Sequence, residues 1–523
     1  MATSPSDPDA SLRKDGPPFQ RLLVANRGEI AVRIIRACRE LGIESVAAYS
    51  DADAEALHTR MADRAERIGP AAASASYLSI DALLAAAARS GAEAIHPGYG
   101  FLSENAAFAA AVEEAGLVFV GPPPATLASL GDKLAARRSV AAVGVPIVPG
   151  LLVPLVADGD GSLAEVDLSG IAFPALLKAA AGGGGRGMRR VEDRGELEAA
   201  LPAAGREAMA AFGDGTLYLE QLIAPARHVE VQLLGDRHGN LAVLGERDCS
   251  VQRRHQKLVE ESPSPAVAPA LRAELAESAR RVAGTVDFHN AATVEFLVDA
   301  NGSHYFLEMN TRLQVEHGVT ELVTGLDLVA WQIRVAAGER LPEAVTACEP
   351  RGHAIEVRVY AEDPHNDFAP VSGSVTAWRM PDGPGTRVDA GVTADTALPT
   401  EYDPLLAKLM VHAEDRPAAV ARLRRALDET VVGGLQTDLS FLHWLVADER
   451  FTTGAYDTGL IAEGWSGGPS TDDLERSLAA MAALAGRAGA ATISPAVSSS
   501  AAAAESAWQR LARHEAVGRR RPG

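Results

Sequence analysis

The chain has 523 residues, which is too many for one ordinary hydrophobic core and predicts roughly three to four domains. Its hydrophobic fraction of 47% and charged fraction of 23% are typical of a folded globular protein and exclude disordered, collagenous and membrane-spanning classes. The formal net charge of −20 argues against nonspecific binding to nucleic acid or to an anionic membrane, so any bound phosphate needs a local pocket of cations.

The first part of the chain predicts a disordered leader, residues 1–18, and an α/β domain over residues 19–126. The leader has no apolar stretch and contains acidic residues, which disfavours an export signal and a transit peptide. A strand is predicted over 21–26, a helix over 28–41 and a strand over 43–50, a βαβ opening. No G-x-G-x-x-G follows the first strand, so a dinucleotide site is not predicted there.

Three further segments are predicted from composition and pattern. Residues 127–350 hold most of the unusual motifs, residues 351–460 are rich in strands, and residues 461–523 form an alanine-rich, helical and partly mobile tail. The three cysteines are scattered without metal-site spacing, which fits a reducing cytoplasm.

Lysine is scarce in this chain. Of 49 basic residues only five are lysine, Lys14, Lys133, Lys178, Lys257 and Lys408. A lysine that persists against such a bias is expected where a compact ammonium is needed and a planar guanidinium does not fit. Lys14 lies in the polar leader, so we expect a role for the other four.

A glycine run follows a predicted strand that ends near Lys178. Gly182 to Gly185 precede Arg186 and Gly187, and backbone amides without side chains can approach phosphate oxygens closely. The run therefore predicts a nucleotide-phosphate loop that closes over its ligand, in which Gly183, Gly184 and Gly185 contact phosphate. The alternative is a flexible linker. It is not a Walker A loop, because no G-K-[ST] follows.

Two acidic residues flank a predicted hairpin. Asn301-Gly302 indicates a two-residue turn, and in that register Glu295 opposes Glu308. Facing carboxylates repel unless a cation lies between them, and Asn310 lies on the same face as Glu308. The three side chains thus predict a Mg²⁺ or Mn²⁺ site that bridges phosphates. The alternative is an exposed pair of repelling acids.

Polar and basic side chains surround these acids in the sequence. Gln252, His255 and Lys257 lie upstream of the hairpin, and Arg312 directly follows it. Plain salt bridges are the alternative interpretation, but the density of charge indicates a clamp for a metal-bound phosphate.

Five long motifs in order, FPALLKAAAGGGGRGM, RHVEVQ, ERDCSVQRRHQK, FLEMNTRLQVEHGVTE and GHAIEVRVYAEDP, resemble the biotin carboxylase family of the ATP-grasp superfamily. The resemblance extends from about residue 21 to residue 460 and includes ANRGEIAVRIIRA and HPGYGFLSEN. It implies an α/β fold with a Rossmann-like amino-terminal domain, an ATP-grasp core with a glycine-rich lid over about residues 150–222, and an α+β carboxy-terminal domain.

The resemblance also implies a reaction and a role for each matching residue. Bicarbonate attacks ATP to form carboxyphosphate, and biotin is carboxylated. The implied contacts are Lys133, Lys178 and His228 for ATP phosphates, Glu220 and Ile223 for adenine, Glu295, Glu308 and Asn310 for Mg²⁺ or Mn²⁺, Lys257, Arg312, Gln314 and Val315 for bicarbonate, Glu316 as general base and Arg358 for the biotin enolate.

The chain departs from the family pattern at three places. Gln221 replaces a lysine near the adenine, and Gly318 replaces the proline of VEHP, which predicts a looser Glu316. The loop DGPGTR lacks the aromatic residue of the stand-alone enzymes' dimer surface, although Arg33, Arg36 and Glu40 match other parts of it.

Partners and competing functions complete the expectations. None of the five lysines lies between methionines, the usual setting of a biotinylated lysine, so we expect biotin on a separate carrier protein and the acceptor reaction, of acetyl-CoA or propionyl-CoA type, on a carboxyltransferase partner. A homodimer or larger complex is possible, whereas nucleic acid and membrane partners are not expected. The alternatives are another ATP-grasp ligase, such as a urea carboxylase-like fragment, and a non-catalytic ATP-binding regulator.

Overall fold

The computed structural model describes residues 16–151, 155, 168, 170–180 and 188–467. The predicted loop residues Gly183, Gly184 and Gly185, together with most of the leader and of the tail, lie outside these ranges. Within the described ranges, no helix combines the length and the apolar composition needed to cross a membrane.

The amino-terminal part alternates strands with helices: β1 (Arg21–Val24), α1 (Gly28–Glu40), β2 (Glu44–Ser50), α2 (Leu57–Met61), β3 (Arg64–Gly69), α3 (Ile80–Ser90), β4 (Ala94–His96), α4 (Ala106–Glu114) and β5 (Val118–Phe119). The strands form one parallel sheet in the order β3-β2-β1-β4-β5. Helix α1, predicted over 28–41, buries Ile30, Ile34, Ile35 and Cys38. The segments after β1 and β4 line a large cavity, at the sheet edge where such folds bind ligands.

The middle part comprises α5 (Pro124–Gly131), α6 (Lys133–Ala142), β6 (Ala175–Ala179), β7 (Arg189–Val191), α7 (Arg194–Phe212), β8 (Leu217–Gln221), β9 (Ala226–Gly235), β10 (Leu241–Arg253), β11 (Gln256–Ser262), α8 (Pro269–Ala283), β12 (Asn290–Asp299), β13 (His304–Asn310), α9 (His317–Thr324), α10 (Leu328–Ala336) and α11 (Glu343–Thr346). Strands β7-β6-β8 form a small separate sheet, which carries Lys178 and Glu220.

The last part comprises β14 (His353–Tyr360), β15 (Glu362–Asp363), β16 (Ala369–Pro370), β17 (Gly373–Ser374), β18 (Ala377–Arg379), β19 (Thr386–Ala390), β20 (Ala397–Leu398), β21 (Leu405–Ala413), α12 (Arg416–Glu429), β22 (Val431–Gly433), α13 (Leu439–Leu445), α14 (Glu449–Thr453) and α15 (Leu460–Gly464). The longest strands join those of the middle part in one eight-stranded sheet, β13-β12-β9-β10-β11-β14-β21-β19. The β11–β14 pairing, which sets Glu260 opposite Glu356, brings Arg358 to the middle of this sheet. These observations confirm the predicted α/β fold class.

The turn of the β12–β13 hairpin differs from the predicted one, but the predicted pairing of its two acids is confirmed. The turn is not a two-residue loop: Asp299 N–H donates to Ser303 C=O at 2.9 Å, which leaves three residues in the loop, and Gly302 supplies the left-handed conformation at φ +83°. That longer loop shifts the register by one residue near the turn. A bulge between Glu295 and Phe296 restores the register, so Glu295 pairs with Glu308 as predicted.

Candidate active site

One cavity of about 1140 Å³ lies between the amino-terminal sheet, the small sheet and the eight-stranded sheet. Every predicted site residue within the described ranges lines it: Lys133, Lys178, Glu220, Ile223, His228, Gln252, His255, Lys257, Glu295, Glu308, Asn310, Arg312, Gln314, Val315, Glu316 and Arg358. Residues separated by up to 225 positions therefore converge, as a single binding site requires.

The paired acids Glu295 and Glu308 meet at Asn310. Asn310 Nδ2 lies 2.8 Å from Glu295 Oε1 and 3.4 Å from Glu308 Oε1, so one amide reaches both carboxylates. Rotating that amide would present its oxygen instead. Three hard oxygen donors at one point form a set that fits Mg²⁺ or Mn²⁺. Lys133 Nζ, 3.1 Å from Glu308 Oε2, adds a cation suited to phosphate on the same side.

Lys257 lies at the centre of a second acidic cluster. Its Nζ contacts Glu230 Oε2 at 2.6 Å, Glu316 Oε1 at 2.7 Å and Glu295 Oε1 at 3.1 Å. Burial alone would lower the pKa of this amine, but the surrounding acidic groups raise it well above its ordinary value. The ammonium thus lies between the Glu230 and Glu295 carboxylates. Ligand atoms of these two residues and of His228 are also close enough together to bind one metal ion.

Glu316 is buried yet ionised. Burial would raise its pKa, but Lys257, Arg358 and Arg247 together hold the pKa well below its ordinary value. Arg358 Nη2 donates to Glu316 Oε2 at 3.0 Å and also forms an ion pair with Glu260. An ionised carboxylate between two cations inside a cavity can accept a proton from a bound acid.

Two residues predicted for the nucleotide, Lys178 and His228, contact acidic side chains of the cavity. Lys178 Nζ and Arg137 Nη1 each lie 2.5 Å from the Glu220 carboxylate, which is 2% exposed. His228 Nε2 donates to Glu295 Oε2 at 2.7 Å, and Gln252 Nε2 contacts His228 Nδ1 at 3.3 Å. Lys178 and His228 therefore line the same cavity, Lys178 paired with Glu220 and His228 with Glu295.

Three of the residues predicted for bicarbonate, Arg312, Gln314 and Val315, follow β13 directly. Arg312 Nη1 donates to Gln314 Oε1 at 2.8 Å, and its Nε pairs with Glu104 Oε2 at 3.0 Å. His255, at φ +67° in the β10–β11 turn, has its pKa lowered mainly by burial. The turn positions Lys257 one residue into β11.

Sequence reasoning missed Arg137, Glu230, Arg247 and Glu260. Glu230 and Arg247 are both 0% exposed and joined at 2.5 Å, with Glu230 against Lys257. Alternation along β9, which places Glu230 on the face of His228, was the available signal for that residue. Arg137 and Glu260 have no such signal, because tertiary packing alone brings them to the site.

Gly318 does not leave a gap beside Glu316. The glycine lies in the first turn of α9, and a Cβ there would lie 2.2 Å from Met410 Sδ and 3.2 Å from Glu356 Oε2. Met410 of β21 occupies the space beside it, and Glu316 is only 1% exposed. The expected loosening is therefore countered by packing from the neighbouring strand.

Three protein-family models match the chain in succession. They are the biotin carboxylase N-terminal domain at residues 18–127, the ATP-binding domain of the carbamoyl-phosphate synthase L chain at 132–344 and the biotin carboxylase C-terminal domain at 356–463. The last of these contains Arg358.

Curated proteins and solved structures agree with these matches. Biotin carboxylase 2 of Bacillus subtilis is 47% identical over 445 residues, covering 85% of this chain and 99% of that protein. The methylcrotonoyl-CoA carboxylase α subunit of Glycine max is 48% identical over 444 residues, 85% of this chain but 60% of that protein. A Campylobacter jejuni biotin carboxylase in complex with β,γ-ATP superposes with a TM-score of 0.81 at 44% identity, covering 85% of this chain and 98% of that one.

Proposed function

The chain belongs to the biotin carboxylase family and is an ATP-dependent carboxylase, and we propose how its residues carry out the reaction and on which substrate they act. The substrate would be biotin on a separate carrier protein, and the product would serve an acyl-CoA carboxylase of acetyl-CoA or propionyl-CoA type. The division at residues 126, 350 and 460, with a lid over about 150–222, remains our proposal for the domains.

In this proposal Glu316 is the base that activates bicarbonate. Bicarbonate is a weak nucleophile until its proton is removed. The low pKa of Glu316 keeps its carboxylate unprotonated at neutral pH, so that it can accept this proton. Lys257, Arg312, Gln314 and Val315 would hold the anion in line with the γ-phosphate. Attack on phosphorus then yields carboxyphosphate and ADP.

Arg358 would act in the second half of the reaction. Carboxyphosphate would break down to CO₂ and phosphate, the phosphate would take the proton from biotin N1, and N1 would then attack CO₂ to form carboxybiotin. The negative charge that develops on the ureido oxygen needs a fixed cation, and the buried guanidinium of Arg358 provides one beside Glu316. Its ion pair with Glu260 keeps the guanidinium in place.

The nucleotide would bind in the same cavity as bicarbonate. Lys133, Lys178 and His228 would contact its phosphates, and the backbone near Glu220 and Ile223 would contact adenine. Glu295, Glu308 and Asn310 would hold Mg²⁺ or Mn²⁺, which supplies charge neutralisation between the phosphates. These three side chains meet at one point, in support of this assignment.

The proposal that biotin arrives on another chain rests on the lysines. A biotinylated lysine must project far enough to enter a second active site, but the described lysine side chains range from 27% exposed at Lys133 to 0% at Lys408. All four line or lie behind the cavity. We also propose a cytoplasmic location, a carboxyltransferase partner and assembly into a homodimer or larger complex.

Two relatives favour different acceptors for the carboxyl group. The methylcrotonoyl-CoA carboxylase α subunit noted above favours an acyl-CoA. A pyruvate carboxylase subunit of Methanothermobacter thermautotrophicus, 47% identical over 445 residues, favours a 2-oxo acid as the second candidate. Carboxylated carrier supplied to carboxyltransferase subunits of each kind, with ¹⁴C-bicarbonate as tracer, separates the two.

The observation that carries the proposal is the contact of both Lys257 and Arg358 with an ionised Glu316. The test is bicarbonate-dependent ATP hydrolysis with and without free biotin. Bicarbonate should stimulate ATP turnover, biotin should raise it further, Glu316→Gln should abolish the bicarbonate response, and Arg358→Ala should abolish the biotin response. Equal turnover with and without bicarbonate would refute the proposal.

A further inference from the structure

Lys408 is the described lysine that the proposed reaction does not use. It lies in β21, in a row across three strands between Arg358 of β14 and Asp389 of β19. Its side chain is 0% exposed. A buried ammonium is costly unless it is paired and hydrogen-bonded, so its partners indicate its purpose.

Two of those partners belong to the cavity wall. Lys408 Nζ donates to the Val315 carbonyl at 2.7 Å and lies 3.3 Å from Glu29 Oε1 in the first turn of α1. The Tyr99 hydroxyl donates to that same Glu29 oxygen. Val315, Glu29 and Tyr99 all line the cavity, and one ammonium therefore connects α1 with the segment that precedes α9.

The remaining neighbours keep this amine charged. Burial would lower the pKa of Lys408, but Glu29, Glu356 and Asp389 raise it, with Arg387 opposing them. Glu356 is fully buried, and its carboxylate oxygens have no hydrogen-bond partner among the described residues. The ammonium thus lies among acidic groups from three different elements, one of which, Asp389, also pairs with Arg387 at 2.7 Å.

The Val315 carbonyl is part of the peptide group that ends in the Glu316 amide nitrogen. A cation that holds this carbonyl fixes the plane of that peptide group. It therefore also fixes the direction in which the Glu316 side chain leaves the backbone. A shift of about 1 Å at such a position can change a rate a hundredfold.

We propose that Lys408 is a positioning residue that fixes the Val315–Glu316 peptide group and couples it to Glu29 of α1 and, through Glu29, to Tyr99. The inference rests on the proposed function, in which Val315 contacts bicarbonate and Glu316 is the base. In this proposal the affinity for bicarbonate depends on a side chain that touches neither bicarbonate nor ATP.

The test is Lys408→Met, with Leu409→Met as the matched control on the other face of the same strand. We expect Lys408→Met to raise KM for bicarbonate about tenfold with KM for ATP changed less than about twofold. The control should leave both constants unchanged. A folded Lys408→Met protein with the wild-type KM for bicarbonate, or with both constants raised equally, would overturn the proposal.

A second variant decides the matter if Lys408→Met does not fold by circular dichroism. Glu29→Gln keeps Lys408 but removes the anion that orients it, and we expect KM for bicarbonate to rise about threefold or more, again without a change for ATP. No rise would overturn the coupling.

Hydrogen exchange separates this inference from the proposed function. The amide of His317 donates to Gln314 C=O at 3.3 Å and that of Val319 to Glu316 C=O at 3.4 Å. In Lys408→Met, or in Glu29→Gln if the first variant does not fold, these amides should exchange at least about tenfold faster, whereas unchanged exchange would overturn the inference. This readout requires no activity, so it remains decisive even if bicarbonate fails to stimulate ATP turnover in the wild type.

Discussion

Replacing Gly318 with alanine tests how tightly the segment after Glu316 is packed. The new Cβ would lie 2.2 Å from Met410 Sδ, well inside contact distance, so the Met410 side chain would have to move within a buried strand. Overpacking of this kind costs about 1–3 kcal/mol. The backbone at Gly318 is helical, so alanine brings no conformational strain that could account for the loss.

A double-mutant cycle isolates the contact. Met410→Ala alone leaves a cavity and should cost roughly 2–5 kcal/mol. In the double variant the methyl group of Ala at position 318 enters the vacated space, so the total loss should fall short of the sum by about 1–2 kcal/mol. Urea unfolding followed by circular dichroism measures all three variants against the wild type.

The same variants report on the base. If Gly318→Ala displaces the first turn of α9, KM for bicarbonate should rise a few-fold, and Met410→Ala in the same chain should reverse the rise. Losses that add to within about 0.5 kcal/mol would refute the reasoning, because they would show that Met410 is not the obstacle.

Three further predictions concern other parts of the molecule. Lys178→Met should raise KM for ATP roughly tenfold or more, the loss of one charge-assisted contact, with KM for bicarbonate unchanged in steady-state ATP hydrolysis. Glu308→Gln should raise the MgCl₂ concentration needed for half-maximal activity, and an unchanged Mg²⁺ titration would contradict its role. Glu261 is buried, but hydrogen bonds from His353 and Arg416 lower its pKa to about 2. Glu261→Gln should therefore cost about 3 kcal/mol at pH 7. That difference should shrink as the pH falls from about 4.5 to about 2, because protonation removes the same interactions from the wild type. Urea unfolding over this range checks it, and a gap independent of pH would count against it.

The pairing of Glu295 with Glu308 could be predicted from the sequence, although the assumed turn was one residue too short. Glu295 and Glu308 were paired by assuming a two-residue turn, and the three-residue turn would have broken that register without the bulge beside Phe296. Spacing alone contains no information about such a bulge. The prediction holds because two departures from regular geometry cancel.

Other members of the site required tertiary structure. Arg358 lies beside Lys257 because β14 pairs with β11, and strand pairing across 90 or more residues leaves no periodic trace in a single sequence. Only the resemblance to a known family placed Arg358 in the site. Lys408 was singled out by its rarity, but its contact with Val315 depends on β21 lying next to β14.

The scarcity of exposed ammonium groups has a practical consequence for labelling chemistry. Among the described residues, Lys133 is the most accessible lysine, and it lies in the cavity beside Glu308. An acylating reagent or amine cross-linker that reacts within the described ranges will therefore reach the proposed nucleotide pocket first. There, amine coupling should modify Lys133, and bound ATP should block it.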